Sequence, residues 1–148
     1  MKANWQWIVT AAIAVYGALL SSYNAFVARR QNTRQITVTV NHGFLPTGPE
    51  LGDPMLLIGA ANLGHRAVTL VSVGLLLPDK QQLVLTSPEG TVQLPHHLTE
   101  GTSCKHWIPA AEIKRQLSSS RFSGTVMVRG FYLDALGKRH LSELFEIG

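Results

Sequence analysis

Hydrophobic and polar positions follow two different rhythms along this chain. Residues 5–28 (WQWIVTAAIAVYGALLSSYNAFVA) hold no charged side chain. As a helix rising about 1.5 Å per residue, the segment reaches across a bilayer core of about 30 Å. Arg29 and Arg30 stop the apolar run abruptly. From residue 35 the rhythm shortens. In QITVTVN, Ile36, Val38 and Val40 alternate with Thr37 and Thr39, the period of a half-buried strand.

Further strands are predicted at 55–61, 68–77, 82–86, 102–108, 125–134 and 138–147. Turn signals lie between them. Residues 42–54, rich in Gly and Pro, read as a loop. The segments 55–61, 68–77 and 82–86 read as an antiparallel meander. Trp107 is the expected core residue of its strand. Pro109 opens a short amphipathic helix over 110–117. Gly137 serves the final hairpin, and Gly130 marks a bulge or a close approach. The expected fold is mainly β: an N-terminal transmembrane helix, then an antiparallel immunoglobulin-like β-sandwich with one short helix. The division is 1–28 for tail and span, 29–34 for a basic juxtamembrane joint, and 35–148 for the sandwich.

Three readings compete for the first segment. A cleaved signal peptide needs small residues before its cut. Cuts after Ala18, Ala25 or Ala28 place Tyr16, Tyr23 or Phe26 at the −3 position. A buried core helix rarely stays uncharged for so long. An uncleaved, single-pass span in the cell (inner or plasma) membrane is the reading retained, with Trp5, Trp7 and Tyr23 near its ends. Lys2 precedes the span, while Arg29, Arg30 and Arg34 follow it. The positive-inside rule then places the C-terminal domain in the cytoplasm and the arginines at the membrane surface. On one helix face, Ala11, Ala14, Ala18, Ser21, Ala25 and Ala28 recur at three- and four-residue steps. Small residues at this spacing let two backbones approach in lipid, so a protein partner or self-association through this face is expected.

Charge narrows the function classes. Of the 13 Lys and Arg, four lie at or before Arg34, which leaves nine against nine acidic residues in the remainder. A neutral domain lacks the basic patch of a nucleic-acid binder. Cys104 is the one cysteine, so no intrachain disulfide forms. The densest group of potential ligands is His96, His97, Cys104 and His106. Its spacing matches no zinc-finger pattern, and loop histidines in solvent are the expected state. Cys104 is expected to act as a small buried hydrophobe, and Asp134 and Glu143 as solvated surface charges. The Phe44-Leu45-Pro46 patch is expected to cap the sandwich. No nucleophile elbow, phosphate loop or carboxylate pair is present.

Two motifs carry a resemblance. Ala61, Asn62, Gly64, Arg66, Val68, Thr69, Leu70, Val73 and Gly74 form an "ANxGxRxVTLxxVG" hairpin. Leu94, Pro95, Leu98, Glu100 and Gly101 form an "LPxxLxEG" loop. Together they resemble small uncharacterised bacterial proteins in which one span precedes a sandwich. The resemblance implies a fold and no activity. The expectation is a non-enzymatic, membrane-anchored interaction module or accessory subunit, without cofactor or metal. The alternative is a metal-handling or assembly factor using His96, His97, Cys104 and His106.

Overall fold

The computed structural model describes residues 3–48 and 50–148. Lys2, one of the charges used above for orientation, lies outside the described residues. Two compact units are present, one ending at Thr33 and the other beginning at Arg34. The first is helix α1 (Ala3–Gln31), which between Asn4 and Arg29 is long and apolar enough to cross a membrane.

The second unit is mainly β, with two antiparallel sheets and one short helix. Sheet one contains β1 (Ile36–Thr47), β2 (Glu50–Asn62), β7 (Ser103–Pro109) and β5 (Glu89–Gly90), in the order β1-β2-β7-β5. Sheet two contains β10 (Phe145–Ile147), β8 (Val126–Asp134), β3 (Val68–Leu76) and β4 (Gln82–Val84), in the order β10-β8-β3-β4. Strand β6 (His96–Leu98) pairs with β3, and β9 (Arg139–Leu141) pairs with β8. Helix α2 (Ala110–Ser119) follows β7 and buries Ile113 and Leu117, one turn apart on a single face.

One core is shared by both sheets. Val38, Val40, Leu56, Ile58, Ala60, Cys104 and Ile108 enter it from sheet one. Val68, Leu70, Val73, Leu75, Val128 and Tyr132 enter it from sheet two. A register shift between Leu70 and Ser72 resets the alternation, so Leu70, Val73 and Leu75 are all buried. Gly130 marks a close approach between the layers. A Cβ there would run into Val40 and lie 3.1 Å from Ile58 Cγ2.

Five expectations need correction. Residues 42–47 and 50–54 are not a loop but the distal arms of the β1–β2 hairpin, and Gly48, whose φ is +75°, lies in the turn. Pro46 lies on the edge strand, and Pro54 sits just beyond the reach of β7, so each proline has a side where no ladder N–H is required. Phe44 stands exposed on this arm rather than capping a core; the side chain of Leu45 lies outside the described residues. The three-strand meander is also overturned: β2 pairs with β1 and β7, whereas β3 pairs with β4, β6 and β8. An apolar run suits either sheet, because both face the same core. Trp107 is half-buried on the outer face of β7, and His106 takes the inner position. Finally, the segment 138–147 is broken at Ser142 into β9 and β10, where Ser142 Oγ accepts the Gly130 N–H at 2.8 Å.

Candidate functional site

Within α1, the apolar side chains point outward. Trp5 is 71%, Ile13 67%, Leu19 65% and Phe26 59% exposed. The helix is apolar on all sides, so its exterior is unsuited to bulk water. Two of its hydroxyls are tied to the helix backbone: Thr10 Oγ1 donates to the Gln6 carbonyl and Ser22 Oγ to the Ala18 carbonyl, both at 2.9 Å. Such back-bonding suits surroundings without water. Ala14, Ala18, Ser21, Ala25 and Ala28 are exposed, and Ala11 is partly so. Arg29 and Arg34 are exposed; the side chain of Arg30 lies outside the described residues.

The histidine and cysteine group does not assemble. Among the described residues, no three His, Cys, Asp or Glu side chains are grouped to hold a metal ion. His97 is exposed, with its Nδ1 3.1 Å from Thr69 Oγ1. Cys104 is 1% exposed, and burial pushes its thiol pKa up. His106 is not a solvated loop residue but is wholly buried. Its Nε2 lies 2.9 Å from the Val92 carbonyl and its Nδ1 2.8 Å from the Tyr132 hydroxyl. A carbonyl only accepts, so Nε2 carries the proton and Nδ1 of the neutral ring accepts from Tyr132. Tyr132 also donates to the Ile58 carbonyl at 2.8 Å, sharing one proton between two acceptors. This network joins β7 of one sheet to β8 of the other.

Asp134, expected in solvent, is buried at 3% exposure. Its Oδ1 accepts the N–H groups of Leu136 and Lys138, each at 2.9 Å, and Oδ2 meets His140 Nε2 at 3.1 Å. The carboxylate thus shapes the turn that Gly137 closes at φ +81°. Burial pushes its pKa up, but the bonds from Lys138, His140 and Leu136 outweigh this and hold it below the usual range.

These two sites shape how stability depends on pH on the acid side. Burial lowers the His106 pKa, with His96 adding to the shift. The unfolded chain therefore binds a proton below about pH 6.5 that the folded chain refuses, and stability falls with acidification from there. Asp134 adds a second loss once pH drops below about 3.9, where the unfolded carboxylate protonates first. Chemical denaturation between pH 8 and pH 3 should show both steps. His106→Gln should flatten the first and leave the second; a profile level from pH 7 to pH 5 in the unaltered chain counts against the buried neutral ring.

The two sequence motifs meet at a single corner. Asn62 is fully buried. Its Nδ2 donates to the carbonyls of Arg66 at 2.8 Å and Leu98 at 3.0 Å, and its Oδ1 accepts the Gly64 N–H at 3.0 Å. Its backbone carbonyl accepts the Gly101 N–H at 2.9 Å. One side chain thus turns the chain from sheet one into sheet two and pins the "LPxxLxEG" loop beneath the turn. Outside the corner, His65 Nδ1 and Glu100 Oε1 are 2.6 Å apart and exposed.

Comparison with known proteins adds little to this geometry. No family model matches the chain, and no curated protein matches it. Among solved structures, it is similar to a Bordetella pertussis protein provisionally named ApaA. That match has 12% identity and a TM-score of 0.42, covering 78% of this chain and 94% of that one. A second structural-genomics X-ray structure matches at 14% identity and a TM-score of 0.37, covering 80% of this chain and 88% of that one.

Proposed function

We propose that the chain is a single-pass membrane protein whose residues 35–148 form an immunoglobulin-like sandwich. This domain acts as a non-enzymatic interaction module or accessory subunit at the cytoplasmic face. The observation that carries the reading is α1, a helix without a buried residue in its apolar window. Over 26 residues it extends about 39 Å, enough for a bilayer core. The side chains best suited to chemistry are engaged in structural bonds: His106 through both ring nitrogens, Asp134 and His140 with each other. That supports binding rather than catalysis. The face of Ala11, Ala14, Ala18, Ser21, Ala25 and Ala28 supplies a helix contact, with a partner or a second copy.

The test is fractionation of cells expressing the chain with a C-terminal reporter. The full chain should stay in membranes through an alkaline wash, and deletion of residues 5–28 should release it. The reporter should respond as cytoplasmic, and Ala18→Leu should lower partner recovery more than Leu19→Ala. A mature N-terminus beyond Ala18, or a chain soluble throughout, overturns the anchor. A reporter active only outside the membrane reverses the orientation.

A further inference from the structure

Sheet one ends at β5, which spans two residues opposite Trp107 and His106. The chain reaches it from β4, the edge of sheet two, through residues 85–88. Beyond Trp107 the outer edge of β7 is left without a strand, and α2 departs from Pro109. A cleft of about 320 Å³ remains between residues 84–89, the end of β7 and the first turns of α2.

The lining of this cleft has a consistent chemistry. Met55 and Ile108 give it an apolar floor, and Trp107 stands half-buried in it. The indole N–H donates to Glu89 Oε2 at 3.1 Å, which holds that carboxylate beside the ring. Glu112, half-buried on α2, receives the Gln116 amide at 3.4 Å. No Lys, Arg or His among the described residues lines the cleft. Among the described residues, neither Glu89 nor Glu112 has an ion-pair partner. A concave site with an aromatic ring, an apolar floor and two uncompensated carboxylates suits a cation on a long apolar stem. Guanidinium suits it better than ammonium, because a planar fork can both stack on indole and bond a carboxylate with two donors.

We infer that this cleft receives an arginine side chain from a segment of a partner protein. The inference rests on the interaction-module reading and names the chemistry of that partner. The stem lies over Met55 and Ile108, and the guanidinium sits between Trp107, Glu89 and Glu112. The remainder of the 320 Å³ admits the neighbouring residues of the segment.

The chain has three tryptophans, so a Trp5→Phe, Trp7→Phe protein in detergent micelles leaves Trp107 as the one indole reporter. This protein is titrated at low salt with a capped Ala-Arg-Ala peptide and with its citrulline counterpart, which is neutral and nearly isosteric. The arginine peptide should give a saturable change in Trp107 emission, and the citrulline peptide should bind about tenfold more weakly or not at all. Glu89→Gln combined with Glu112→Gln should weaken the arginine peptide by about tenfold or more. Glu112→Gln alone, at a half-exposed helix position, should move it in the same direction and serves if the double variant unfolds. Equal response to both peptides, no saturable response, or indifference to Glu112→Gln overturns the proposal. So does N-acetylarginine amide binding as tightly as the peptide, which assigns the cleft to a small cation instead. The titration needs no bilayer, so its failure is separable from failure of the anchor.

Discussion

Replacing Gly74 by alanine is expected to cost the domain about 3 kcal/mol, near the top of the usual range for overpacking a core. Gly74 lies in β3 between Val84 of β4 and Phe131 of β8. A Cβ there would run into the Leu83 carbonyl oxygen and lie 2.9 Å from Cε1 and Cζ of Phe131. The first obstacle is backbone, and it can retreat only if the β3–β4 ladder opens. The second is a ring 1% exposed, with no free space to swing into. Chemical denaturation of the full chain measures the loss. Phe131→Leu in the Gly74→Ala background should recover part of it, because one of the two clashes is removed. A loss under about 1 kcal/mol would mean that the sheet accommodates the methyl group, against this account.

Asn62→Ala is expected to be comparably damaging, at about 3 kcal/mol, because each buried backbone group left without a partner costs roughly 1–3 kcal/mol. The substitution takes the side-chain donor from the Arg66 and Leu98 carbonyls, while the Gly64 N–H keeps the Gln35 carbonyl at 3.2 Å. Asn62→Asp separates donor from acceptor. It retains an oxygen for Gly64 but turns a carboxylate toward two carbonyls in a site with no exposure. The Asp variant should therefore be at least as unstable as the Ala variant. An Asp variant of native stability would show that the acceptor alone holds the corner, and that the bonds to Arg66 and Leu98 are dispensable.

The corner also shows how far the sequence could be read. Asn62 and Gly64 announced a turn, and the "LPxxLxEG" segment stood out as a unit. That the two form one structure, through Asn62 Nδ2 and Leu98, depends on a contact no local pattern encodes. Strand periods were legible where one face is buried, as in Ile36, Val38 and Val40. They were not legible over 42–54, because Gly and Pro tolerated on a free strand edge look the same as a loop. On β7 the burial of Cys104 was legible, but Trp107 was expected in the core and His106 in solvent, and the structure reverses those two. Tryptophan outranks histidine in any estimate of burial from residue type. Here Tyr132 and Val92 satisfy the imidazole, and the larger ring is left at the rim. The cleft was invisible for a related reason: β5 is two residues within an irregular stretch, and its pairing brings Glu89 opposite Trp107 across the fold.

The pairing of β3 with β8 carries a consequence for the order in which the chain matures. Val73 meets Tyr132, and β2 meets β7, across long stretches of intervening sequence. Loop-closure entropy makes such non-local pairs slow to form, whereas a helix forms from neighbours alone. During synthesis α1 emerges before the strands, while the β1–β2 and β3–β4 hairpins must wait for β7 and β8. Until β8 leaves the ribosome, β3 lacks its long partner strand and the shared core lacks Val128 and Tyr132. The interval is one in which nascent chains depend on chaperones or on spacing from their neighbours.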